Sequence, residues 1–137
     1  MRAMRGFTLI EIMIAMVIVA ILAAIGIPAY RDYIIRTNRG DATAALLKIA
    51  AAQEKFYLQN DTYTTNLAAP PAGLGIPNTD AGYYDLAVTA ADADGFTATA
   101  TAIAGEAQAS DDECQTFTIT QQNVRTSTPS AADVCWR

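Results

Sequence analysis

Side-chain chemistry in this sequence is narrow. Histidine is absent from all 137 residues. That removes the usual general base, the commonest metal ligand and every Ser-His-Asp or Cys-His arrangement. Two features remain that could do something specific. The first is the pair Cys114 and Cys135, the only cysteines. An apolar export-type segment at the other end of the chain implies an oxidising compartment for them. One disulfide is the simple reading; closing a loop of about 20 residues would stabilise the fold by roughly 3 kcal/mol on the loop-entropy model. Two unpaired thiols are the alternative, and zinc would find only half of a closed ligand set. The second feature is Glu11, the single charge between Phe7 and Tyr30. A carboxylate near the start of a membrane-length helix is costly unless neutralised or paired, and such residues are usually functional. No catalytic residue, metal site or cofactor is expected.

The element that must position Glu11 is a long apolar helix. Ile12 to Tyr30 carries no charge, and at a rise of 1.5 Å per residue it covers about 28 Å, close to a bilayer's hydrocarbon core. Leu, Ile, Val, Ala and Met fill it, so it is hydrophobic on nearly all sides. Arg2 and Arg5 precede it, and Arg31, Arg36 and Arg39 follow, which leaves orientation ambiguous by the positive-inside rule. A secretory signal cleaved near Ala24-Ile25-Gly26, a plain anchor and a buried core helix are the competing readings. A domain this small could hardly cover the last, and the first two leave Glu11 without a role.

The run Arg5-Gly6-Phe7-Thr8-Leu9-Ile10-Glu11 resembles the processing motif of type IV prepilins and of type II secretion pseudopilins. The stretch through Ala24-Ile25-Gly26-Ile27-Pro28-Ala29-Tyr30 is similar to the rest of their shared helix. The resemblance implies that a dedicated peptidase cuts after Gly6 on the cytoplasmic side. Phe7 then becomes the N-methylated terminus and Glu11 the fifth residue of the mature chain. An ammonium on Phe7 and a carboxylate on Glu11 relieve each other's desolvation in a water-poor bundle. In the family the carboxylate meets the amine of a neighbouring subunit, which sets register. Pro28 removes a helix hydrogen bond, so a kink or a locally unwound stretch is expected there.

Beyond Tyr30 the pattern turns amphipathic. Ala42, Ala45, Ile49, Ala52 and Phe56 recur at helical spacing with Leu46 and Gln53 alongside, while Asp41, Lys48 and Lys55 take other faces. One helix over roughly residues 7–58 follows. Residues 60–82 read as a loop, given Pro70-Pro71, Gly73, Gly75 and Pro77-Asn78. Tyr84, Leu86 and Val88 alternate with polar or small residues; Asp94-Gly95 marks a hairpin turn; Phe96 to Ile103 alternates Thr with Ala. Gln115 to Thr120 puts Phe117 and Ile119 on one side, and a weak fourth strand lies near Val124 to Thr126. Asp92-Ala93-Asp94-Gly95 opens like a calcium loop but lacks the closing Glu, so a plain turn is expected. Asp111-Asp112-Glu113 reads as a solvated acidic loop, and Trp136 as an aromatic that buries beside the cysteines.

The fold class is therefore α+β: a long N-terminal hydrophobic helix packed by its second half against a small antiparallel sheet, the pilin ladle fold of the resembled family. The expected divisions are a leader at 1–6, a membrane or filament-core helix at 7–34, its amphipathic half at 35–60 and a head at 61–137. The tail, the small head and Tyr83-Tyr84 make the chain most similar to minor pilins of the PilE type. The resemblance implies a type IV pilus subunit, a minor pilin in assembly or initiation that serves twitching motility or adhesion, and not an enzyme. A major pilin, a type II secretion pseudopilin and a DNA- or surface-binding pilin are the alternatives. Implied partners are other pilin subunits, the prepilin peptidase and the bacterial inner membrane before export to an extracellular pilus. From Phe56 onward only Arg125 and Arg137 are basic, against ten acidic residues. A body so acidic repels phosphate backbones, and no nucleic acid partner is expected.

Overall fold

The computed structural model describes residues 7–137. Gly6 and the expected leader at 1–6 lie outside the described residues. One helix, α1 (Leu9–Asn60), precedes four strands, β1 (Tyr84–Ala91), β2 (Phe96–Ala102), β3 (Cys114–Thr120) and β4 (Arg125–Pro129), and a short C-terminal helix, α2 (Ala132–Cys135). The strands form one antiparallel sheet in the order β1-β2-β3-β4. Each strand pairs with its sequence neighbour, as short connections favour.

The chain divides into two compact units, the first ending at Ile34 and the second spanning Ile35–Arg137. In the first, the described part is helical from Leu9, and almost every side chain is exposed. By length and composition this stretch could cross a membrane. α1 continues through Pro28 without leaving helical geometry. The locally unwound alternative is therefore not found: the missing proline N–H removes one rung, and the turns on either side keep theirs.

The second unit has its own core. Arg39, Ala42, Ala45, Leu46, Ile49 and Gln53 are the buried positions of the later part of α1. Their i, i+3, i+4, i+7 spacing lines one helical face, as the periodicity required. Tyr84, Val88, Phe96, Ala98, Ala100, Phe117 and Ile119 join the same cluster from the sheet. Small alanines at 98 and 100 face bulky Phe117 and Ile119 across the register Ala98↔Ile119 and Ala100↔Phe117, so large and small side chains interdigitate. β1 carries a bulge between Val88 and Ala90.

Residues 61–83 form no regular element, but they are not loose. Asn66 accepts from Ala68 N and donates to Ala72 O, while Leu74 N and Ile76 N donate to Asn66 O and Leu67 O. Gln53 ties this loop to α1 twice, donating to Thr64 O at 2.7 Å and accepting from Thr64 N at 3.0 Å. A side chain at Gly73 would collide with the backbone of Asn66 and Ala68, so that close crossing requires glycine. Asp92 Oδ1 accepts from the N–H groups of Asp94 and Gly95, which makes Asp92–Gly95 an Asx-type hairpin turn.

Candidate functional site

At the start of α1, Thr8 and Glu11 cap each other. Glu11 N donates to Thr8 Oγ1 at 3.3 Å, and Thr8 N donates to Glu11 Oε2 at 3.4 Å. This reciprocal pair is a capping box, with Thr8 at the N-cap and Glu11 at the third helical position. Both contacts are long, so each is weak. The Thr-x-x-Glu spacing at 8–11 was the available signal, and sequence reasoning passed over it in favour of Glu11 as a filament residue. The box gives Glu11 a local role within one chain and keeps its carboxylate at the helix mouth, four residues from Phe7. Phe7 is 80 % exposed, and Leu9, Ile10, Met13 and Met16 are exposed as well.

In the second unit the strongest polar feature is an ion pair that sequence reasoning missed. Arg39 stood there as a flanking cation and Asp111-Asp112-Glu113 as a solvated acidic loop. That reading needs correcting for Asp111, which is buried, while Glu113 stays exposed but also pairs with Arg39. Arg39 Nε and Nη2 donate to the two carboxylate oxygens of Asp111, each at 2.7 Å, and Nη2 also donates to Glu113 at 2.9 Å. Asp111 is 2 % exposed and Arg39 8 %. Asp111 Oδ1 further accepts from the N–H groups of Glu113 and Cys114. Burial of a carboxylate is tolerable here because four donors surround it, one guanidinium arranged as a fork. The hydrogen bond to Asp111 raises the Arg39 pKa above its already high value, against the opposing effect of burial. The partners are 72 residues apart, so no local pattern announces them. Asp112 does stay exposed.

A second buried link runs beside it. Gln108, on a single 3-10 turn at 107–110, donates to Tyr84 Oη at 2.7 Å and to Ile35 O at 3.1 Å. Burial first, with nearby Asp111 adding to it, pushes the Tyr84 phenol up to about 12. Neither Gln108 nor the 3-10 turn was visible in the sequence, because four residues show no periodicity.

Cys114 and Cys135 are joined, as their number and compartment implied, with Cα atoms 5.7 Å apart. The bond fixes α2 to the first residue of β3, and Ser130 N donates to Glu113 O beside it. Trp136 is half-buried: its ring meets Phe117 edge-on at 5.9 Å, and its indole N–H donates to Thr126 O at 3.0 Å. The Arg125 guanidinium lies 5.3 Å from its ring centre. Among the described residues no group of three or more Asp, Glu, His or Cys side chains is placed to hold a metal.

Comparison with known proteins places this geometry. A model of the prokaryotic N-terminal methylation motif matches residues 1–27. The model described as "Type IV minor pilin ComP, DNA uptake sequence receptor" matches residues 28–118. The type IV major fimbrial protein FimA of Dichelobacter nodosus is 47% identical over 85 residues, covering 61% of this chain and 49% of FimA. The type IV major pilin protein PilE1 of Neisseria gonorrhoeae is 40% identical over 88 residues, covering 64% of this chain and 40% of PilE1. The chain thus spans about half the length or less of these curated relatives. Among solved structures, the non-core minor pilin PilV of Neisseria meningitidis matches with a TM-score of 0.53 at 16% identity, over 70% of this chain and 88% of PilV. That identity speaks for the fold alone.

Proposed function

The chain belongs to the type IV minor pilin family whose model spans 28–118, and from that premise we propose that it enters a pilus as a minor subunit after cleavage behind Gly6. Members of this family are structural subunits, and a pilin works by assembling with other pilins. In this reading the prepilin peptidase removes residues 1–6 on the cytoplasmic side of the inner membrane and methylates Phe7. The subunit waits in that membrane on its apolar helix and leaves it for an extracellular filament used in motility or adhesion. The chain itself performs no catalysis.

The observation that carries the reading is Glu11 at the mouth of an exposed apolar helix, four residues after Phe7. The capping box occupies Glu11 only weakly. In the assembled core its carboxylate exchanges the Thr8 N–H for the ammonium of a neighbouring Phe7, a charge-assisted partner and therefore a stronger one. Pro28 supplies the place where α1 bends or stretches as subunits settle.

Intact mass and N-terminal sequencing of the protein from its native membrane test this directly. A chain starting at N-methyl-Phe7, present at low copy in sheared filaments, is the expected result. A chain starting at Ile27 would mean that an ordinary secretory signal had been removed, and the filament reading would fall. High copy would make it a major pilin.

The family's description as a DNA uptake sequence receptor favours a second reading, in which the head contacts DNA. Charge opposes it: ten acids face two arginines from Phe56 onward, and Arg125 is already seated over Trp136. Tight DNA binding by the full chain in detergent, weakening steeply with added salt, would establish that second reading.

A further inference from the structure

A cationic cavity opens beside the disulfide. It measures about 380 Å³ and is lined by Arg36 and Arg39 of α1, by Glu113, and by Val134, Cys135 and Arg137. Sites for small ligands are usually of this size, roughly 300–1,000 Å³. Arg36 and Arg39 stand three residues apart in α1, so the helix presents them as neighbours on its surface. Arg137 joins them only through the fold. The Cys114–Cys135 bond holds α2, and the residues after it, against the start of β3.

The three guanidinium groups are not equally occupied. Arg39 is committed to Asp111 and Glu113. Arg36 and Arg137 meet no carboxylate among the described residues, and both are exposed. Arg137 gives only its Nε–H, to the Asp133 carbonyl. Two arginine forks therefore line one cavity with donors to spare, in a chain whose net charge is −5. A phosphate suits them, because its oxygens take parallel N–H bonds from such a fork.

Position along the chain says where that phosphate comes from. The charge-free stretch Ile12 to Tyr30 is long and apolar enough to cross a bilayer. Arg36 follows its last residue by six positions. A helical rise carries it about 9 Å past Tyr30, and even an extended chain could carry it no more than about 22 Å. The headgroup layer is roughly 5–8 Å deep on each side of the hydrocarbon. Arg36 is thus held at or just above that layer. Tyr30 and Tyr33, 66% and 65% exposed, are residues of the kind that settle at the same level. Basic residues just outside a span are drawn to lipid phosphates.

We propose that the cavity shared by Arg36 and Arg137 binds the phosphodiester of a phospholipid headgroup while α1 spans the membrane. Arg36 and Arg137 take the phosphate oxygens, and Arg39 offsets the acids beside them. The contact gives the head a footing on the membrane before the subunit enters a filament. Nucleic acid carries the same phosphate, but its long row of charges would also meet the ten acids of the head; a single headgroup does not. The proposal rests on the membrane-held reading given above.

The test is native mass spectrometry of the full chain, purified from its native host in a neutral detergent, with phosphatidylglycerol added. Diacylglycerol with the same acyl chains, which lacks the phosphate, is the control. Phosphatidylglycerol should be retained about tenfold better, and the excess should shrink with added salt. Arg36→Gln with Arg137→Gln should bring the two lipids level. Lys55→Gln, which removes an exposed cation further along α1, should leave the excess unchanged. Unchanged thermal unfolding of the variants shows that the fold survives. Equal retention of both lipids by the wild type, or an undiminished excess in the double variant, overturns the proposal. So does displacement of the lipid by inorganic phosphate or duplex DNA at equal phosphate concentration, since the cavity would then belong to a soluble anion. The same spectra record whether the chain begins at Phe7, so a failed lipid site and a failed filament reading are told apart.

Discussion

Residues 7–34 and residues 35–137 use the same apolar side chains in opposite ways. In the first stretch Ile14, Val17, Ile18, Ile21 and Ile25 are all more than half exposed. In the second, Leu46, Ile49, Phe117 and Ile119 are almost wholly enclosed. Burying a large aliphatic side chain is worth about 2 kcal/mol, and the head collects that gain within one chain. The helix of the first stretch collects little of it within this chain; in the proposed reading, lipid or other subunits supply the rest. Polar groups follow the same division. Glu11 has a weak cap of its own, whereas Asp111 has a full set of donors. The head buries its apolar groups within one chain; in the proposed reading the N-terminal stretch buries its own only against a partner.

The sharpest way to break that contrast is Glu11→Ala in a strain that builds pili. Head stability should stay unchanged, while the amount of this subunit in sheared filaments falls by about tenfold or more, because a neighbouring ammonium loses its buried partner. Equal recovery of mutant and wild type would sink Glu11's assembly role.

Next in size is Arg39→Leu, which leaves the Asp111 carboxylate enclosed without its cation. Urea unfolding of the full chain in detergent should show a loss of about 3 kcal/mol. A loss below about 1 kcal/mol would mean that backbone donors alone satisfy Asp111.

Replacing both cysteines by serine should cost a similar or slightly smaller amount, roughly 2–3 kcal/mol for a loop of this length. Reduction of the wild type should reproduce it. If the reduced protein melts where the oxidised one does, the disulfide is a passive feature.

The smallest effect concerns Tyr84. Its folded pKa, about 12, stands above the ordinary 10.0 because the phenol is buried. The unfolded chain therefore loses this proton first as pH rises. The contribution of Tyr84 is whole below pH 10 and is lost as pH climbs through about 12. Tyr84→Phe should lower stability at neutral pH by about 1 kcal/mol by removing the acceptor for Gln108. It should also flatten the alkaline decline. An identical pH slope in the mutant would place that decline on other groups.

What the sequence determined alone was whatever is periodic or adjacent. Helical spacing from Ala42 to Gln53 named the buried face of α1, and alternation around Leu86, Ala98 and Phe117 named the strands. Asp94-Gly95 marked the first hairpin, and the cysteine count with an export-type helix implied the disulfide. The helix also placed Glu11 where it demands explanation. These follow from the 3.6- and 2-residue repeats and from local turn chemistry. Tertiary structure alone decided the rest. Arg39 meets Asp111 across 72 residues, so one acid of an apparently solvated loop is buried against a helix cation. Gln108 lay in a stretch too short for any period and turned out to link Tyr84 to the Ile35 carbonyl. Threonines that read only as one half of an alternation with alanine became rows once strand register fixed which of them stand side by side. A repeat says which way a side chain points along its own element; which distant group waits there is settled by packing those elements together.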